Sequence, residues 1–258
     1  MALTLRAARS TSLGALVAAA LVAWALTYAL GSDMSAEPGT MGIGLLGFLA
    51  LWALMMTAMM LPSLAPVTDA YLRTIARDPR PRVRAMRATA LVAGYLLAWT
   101  AYGVVAYVLA DIGGMLAADH PDVAPWVAAG ALVVAGTYQL TPLKDVCLRH
   151  CRSPMGFLLH FSGMRGRWKD LRVGFLHGGV CVGCCWGLML VLITMGVMNL
   201  VWMVAIAAVV ILEKTWRHGR RLGLAVGVGL IALGVVVPAY PQIAPGLHQS
   251  EPMGAMDM

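Results

Sequence analysis

The chain has 258 residues, of which 60% are hydrophobic before its 28 glycines are counted; only 12% are charged, and the net charge is +7. Soluble domains carry about 45–50% apolar residues with glycine included and about 25% charged ones, so a cytosolic enzyme, a disordered chain and a disulfide-framework secreted domain are excluded. What remains is an all-α, polytopic transmembrane bundle, because a chain in hydrocarbon must satisfy every backbone group internally, and long apolar runs do so as helices.

A crossing needs about 20 mostly apolar residues. Seven segments qualify, near 13–30, 41–64, 88–110, 125–143, 173–196, 198–212 and 222–240, in a single domain over 1–258. The first follows Arg6 and Arg9 as a signal peptide would, but its apolar run exceeds the usual core of about 7–15 residues, and it reads as a retained helix. The second contains Met55 with Met59 and Met56 with Met60, pairs at i, i+4 that share a helix face. Pro62 is expected to bend or end that helix after Leu61. The fourth closes on Tyr138, Gln139 and Thr141, before Pro142. A connection over 144–172 then carries Cys147 and Cys151, also at i, i+4, with His150 and His160, which read as polar interfacial residues. Within it Met155 to Phe161 is apolar and Arg165 to Arg172 basic, with Trp168, which suits a segment lying at the membrane interface.

The fifth segment holds the stretch H-G-G-V-C-V-G-C-C-W from His177 to Trp186. At 100° per residue, with His177 at zero, Cys181 falls at about 40°, Cys184 at about −20° and Cys185 at about 80°. One stripe carries an imidazole and three thiols. Gly179, Gly183 and Gly187 fall on the other side, as a small-residue face for a neighbouring helix. The sixth segment is short, and its join to the fifth around Asn199 is tight, so the pair also reads as one long helix plus a tilted one. It ends on Glu213 and Lys214, with Glu213 free to pair with Lys214 or an arginine, or to act as a ligand. Past the seventh come His248, Met253, Met256 and Met258.

All 19 Lys and Arg residues fall in the N-terminal segment and in the connections after the second, fourth and sixth helices. Basic connections stay in the cytoplasm, which gives N-terminus in and C-terminus out. The net charge therefore reports topology, and no nucleic-acid partner is expected. All five cysteines lie on the cytoplasmic side of this map, where the compartment is reducing and structural disulfides are unexpected.

Thiolate and imidazole are the ligands of Cu(I) and zinc, and thioethers suit Cu(I). Clustering at this density is what a metal or redox centre needs, whereas single buried cysteines serve as small hydrophobes. There is no G-x-S-x-G, Walker loop, H-E-x-x-H or G-x-G-x-x-G, so an ATP-driven pump and a hydrolase find no support.

Four stretches, W-A-L-M-M-T-A-M-M-L-P-S from Trp52, A-G-T-Y-Q-L-T-P-L-K-D-V-C-L-R-H-C-R-S-P from Ala135, H-G-G-V-C-V-G-C-C-W-G-L-M from His177 and G-V-M-N-L…E-K from Gly196 to Lys214, resemble an uncharacterised bacterial family of predicted metal-binding integral membrane proteins. The resemblance covers about residues 40 to 215 and implies a multi-span helical protein with a metal site.

The expectation is thus a soft-metal protein of the bacterial inner membrane, handling or translocating Cu(I), with zinc as the rival metal. Its partners are the lipid bilayer and a metal ion or metallochaperone. The metal ligands are His177, Cys181, Cys184 and Cys185, completed by Cys147 and Cys151, with Met55, Met56, Met59, Met60 and Glu213 as secondary candidates. The alternatives are a membrane thiol–disulfide relay through Cys181 and Cys184, or a non-catalytic subunit or assembly factor of a membrane metalloenzyme.

Overall fold

Among the described residues a computed structural model shows eight α-helices and two short 3-10 turns, and no strand. Those are residues 2–31, 39–40, 42–76, 78–153 and 166–247, with Gly156, Leu158 and Gly163, and side chains from Leu13 onward. His160, Arg165, most of Met155 to Phe161, and the tail residues His248, Met253, Met256 and Met258 lie outside the described residues. The helices are α1 (Ala2–Gly31), α2 (Leu45–Thr74), α3 (Pro81–Asp119), α4 (Ala124–Leu140), α5 (Pro142–Arg152), α6 (Lys169–Thr194), α7 (Leu200–Thr215) and α8 (Gly219–Val236).

Each of the seven apolar segments is helical, but the count of crossings differs from the expected seven. Among the described residues, five helices are long and apolar enough to cross a membrane: α1 from Leu13, α2, α3, α6 and α8. The number becomes six if α4 and α5, which meet at a 63° bend, form one crossing. The shortfall lies in α4 and α7, with 17 and 16 residues. At 1.5 Å per residue these reach only about 25 Å, against a hydrocarbon core of about 30 Å.

Other expectations also shift. Helix α2 continues through Pro62 and Pro66 to Thr74. A proline forfeits one backbone bond but does not end a helix whose neighbours hold it; here Leu61 packs on Leu16 and Ala20 of α1. The 144–172 connection begins as the helix α5, with Pro142 in its first turn and the Thr141 side chain accepting the Lys144 amide. The fifth and sixth segments are separate helices. The chain turns at Gly196, whose φ of +92° suits glycine, and Asn199 caps α7 by accepting the Trp202 amide at 3.3 Å.

Two glycine seams bring helices into backbone contact. Where α3 crosses α6, a Cβ built on Gly94 would lie 2.0 Å from the Leu171 carbonyl oxygen, and one on Gly174 would lie 2.0 Å from that of Leu91. Where α4 meets α8, a Cβ on Gly136 would lie 2.6 Å from the Gly227 carbonyl oxygen. Among the glycines expected to pack, Gly183 faces Cys147 Sγ and Gly187 faces Ala135 of α4, but a Cβ on Gly179 would meet nothing within 4 Å. Gly174 and Gly178, one helical turn apart, take the role expected of Gly179. We predict that Gly94→Ala costs at least about 1–3 kcal/mol, the range typical of overpacking, because the obstacle is backbone and cannot rotate away. Thermal unfolding in detergent checks this, and a variant as stable as the parent would contradict it.

The connections sort to two ends. At one, Arg87 pairs with Asp170 at 3.0 Å, Arg220 pairs with Asp145 at 2.8 Å, and Arg152 donates to the Trp216 carbonyl at 2.6 Å. This basic end thus joins the three arginine-rich connections. At the other, Gly246 sits against the Ile193 and Thr194 carbonyls and Leu247 against Gly113.

Candidate metal centre

Helix α6 positions the centre. Its close approach to α3 at Gly174 and Gly178 fixes its axis, and the stripe after His177 then faces inward. The sulfurs of Cys181, Cys184 and Cys185 lie within 4.8 Å of one another, and all three residues are buried. Cys184 and Cys185 Sγ are 3.2 Å apart, and the Cys184 thiol donates to the Cys181 carbonyl at 3.1 Å. Helix α5 brings a fourth sulfur, with Cys151 Sγ 3.7 Å from Cys184 Sγ. Cys147 is only half-buried, on the face of α5 turned to Gly183. All five cysteines are free thiols.

His177 is buried but lies outside the three-sulfur group. Its ring stacks on Tyr95 with centroids 5.9 Å apart. The helical wheel puts it on the same stripe, but the rise of 1.5 Å per residue sets it about 6 Å below Cys181. Met55, Met56, Met59 and Met60 are all buried and belong to the same continuous core as the three cysteines.

Three residues that are not among the expected ligands complete the surroundings. Lys214 Nζ donates to Cys181 Sγ at 2.9 Å and to Ser63 Oγ at 3.0 Å. The Tyr95 hydroxyl lies 3.1 Å from Cys181 Sγ. The charge partition counts Lys214 among the loop cations, yet its ammonium reaches the thiol cluster. Ser63 is visible in the sequence as the polar residue after Pro62 in an apolar helix; nothing there marks Tyr95.

Glu213 faces the other way. Both its oxygens accept from Lys144 Nζ at 2.7 Å, and Gln139 also bonds Lys144. Its ion-pair partner is therefore Lys144 and neither Lys214 nor an arginine. Lys144, a second lysine that the partition assigns to a loop, is only 2% exposed.

The donor set suits a soft ion. Sulfurs bound to a common ion at about 2.3 Å cannot be more than about 4.6 Å apart, close to the spread observed here. A threefold thiolate set carries three negative charges, and the Lys214 ammonium supplies a countercharge within a site that excludes water.

Residues 49–237 match the family model PpoB2, described as a copper chaperone. The chain belongs to this copper chaperone family. The match spans α2 to α8 and so takes in every cysteine, the α2 methionines and Lys214. It agrees with the metal-binding family that the motifs resemble. No curated protein and no solved structure matches the chain.

Proposed function

We propose that this copper chaperone family member takes up Cu(I) at the basic end of an inner-membrane helical bundle and holds it as cargo on Cys181, Cys184 and Cys185. The observation that supports this most directly is the buried three-sulfur group with a lysine against it. Cys151 adjoins that group, and Cys147 is the most exposed of the five, so the two form a path of thiols from the surface inward. A cuprous ion moves readily along such a path, because each sulfur can bind before the previous one releases. We assign the α2 methionines as secondary soft ligands and His177 as a flanking donor. Glu213 serves the ion pair with Lys144. Zinc would use the same thiols as a fourfold structural site.

Metal analysis of reduced, purified protein tests the reading. The parent should retain Cu(I) near one equivalent, and Cys181→Ser/Cys184→Ser should lose it while remaining folded. Absence of metal from both, with redox-dependent alkylation of the same cysteines, would establish the thiol relay instead. Zinc retained in preference to Cu(I) would overturn the choice of metal.

The apolar helices and the partition of charge support the membrane placement proposed here, with the basic end in the cytoplasm of a bacterial cell. Reporter fusions at Arg80, Arg167 and Arg217 should all report the cytoplasm, which requires the bent α4–α5 pair and the short α7 to pass between the two faces along with the five longer helices. Any one of them found outside would refute this orientation.

A further inference from the structure

A groove of about 330 Å³ lies at the basic end between α5 and the start of α8, lined by Pro142, Asp145, Leu148, Arg149, Arg152 and Arg220. It is separate from the thiol cluster, and the copper reading makes no use of it. Three guanidiniums and one carboxylate leave it with a net charge of +2. Arg220 commits its Nε to Asp145, Arg152 an Nη to the Trp216 carbonyl, and Arg149 its Nε to the Asp145 carbonyl at 3.3 Å. Each guanidinium has five N–H donors in a planar fork that matches phosphate oxygens. Most of that donor capacity stays available.

What surrounds the groove narrows the ligand. On α5, Val146 lies one turn ahead of Arg149 and Leu143 one turn before that, and they are 44% and 61% exposed. On α8, Leu224 stands one turn beyond Arg220, and Val228 one turn further, the latter 60% exposed. Trp216, at the rim, is 47% exposed. A soluble anion has no use for an apolar strip leading away from its charge site. A phospholipid has, since its acyl chains continue from the phosphate, and basic pockets between helices at the cytoplasmic face suit anionic headgroups.

We propose that this groove binds the phosphate of an anionic phospholipid of the cytoplasmic leaflet. The proposal rests on the membrane placement given above but is independent of the metal. Bound lipid would bridge α5 to α8, and α5 is the helix that carries Cys147 and Cys151.

Native mass spectrometry of the full chain, released from detergent with added phosphatidylglycerol or phosphatidylcholine, tests it. The parent should retain phosphatidylglycerol and not phosphatidylcholine. Arg149→Gln/Arg152→Gln/Arg220→Gln should weaken retention on the order of a hundredfold, at about fivefold per arginine. Removing equal charge elsewhere at the same end, with Arg73→Gln/Arg80→Gln/Arg82→Gln, should leave retention unchanged and shows whether the groove or the overall charge is responsible. Equal loss in both triple variants, or none in the first, overturns the site. Displacement by inorganic phosphate at concentrations comparable to the lipid makes the ligand a soluble anion and overturns the lipid assignment. Circular dichroism of the groove variant must match the parent, and single substitutions replace it if it does not fold. A chain that stays in the aqueous phase without detergent defeats the membrane placement itself, whatever the groove binds.

Discussion

Lys144→Met should lower the unfolding free energy by about 3–5 kcal/mol, the cost of leaving a buried carboxylate without its partner. Both residues of the Lys144–Glu213 pair are 2% exposed, so water cannot take the place of the lost ammonium. Gln139 lies 3.5 Å from Glu213 Oε1, too far to compensate. The double variant Lys144→Met/Glu213→Leu should recover most of the loss, because an apolar pair of similar volume avoids the desolvation of both charges. Unfolding by a denaturing detergent, with the parent and three variants compared, measures this. A double variant no better than Lys144→Met would show that the pair is not the source of the effect.

Lys214→Met should leave the fold intact and weaken Cu(I) retention by about ten- to a hundredfold. A hydrogen bond to a charged group contributes about 1.5–3 kcal/mol, and about 1.4 kcal/mol is tenfold in affinity. Lys214 makes such a bond to Cys181 Sγ at 2.9 Å. Its loss leaves the thiolate set with more uncompensated charge in a buried site. Lys214→Arg keeps the charge and should retain more metal than Lys214→Met. Competition with a calibrated Cu(I) chelator reads the change. Equal retention by parent and Lys214→Met would remove Lys214 from the centre.

Much of this architecture is legible in the amino-acid sequence. The apolar runs mark every long helix, because exclusion from water is a property of composition. The inward stripe of Cys181, Cys184 and Cys185 follows from the helical period. The helix lengths are less legible: α3 begins at Pro81, ahead of the apolar run at Ala88, since Arg82, Arg84 and Arg87 suit a helix as well as a loop. The α5 helix is signalled by Thr141 and Pro142, a cap and a first-turn proline, but its polar composition hides it from hydropathy. Lys144 and Lys214 are the deeper miss. The charge-partition rule assigns a cation to a side of the membrane, not to water, and it passes over two lysines whose partners come from helices far away in sequence.

The bend at Thr141 and Pro142 divides the fourth helical segment into two mechanically distinct parts. Ahead of the bend, α4 is locked to α8 through the glycine seam at Gly136 and Gly227. After it, α5 is held by the Lys144 pair, the Arg220 and Arg152 contacts and the burial of Cys151. The backbone seams take no part in holding it. The fold therefore changes its kind of hold at one elbow: ahead of it a single added methyl would jam a backbone seam, whereas beyond it the helix that carries Cys147 and Cys151 depends on side-chain contacts that single substitutions can remove one at a time.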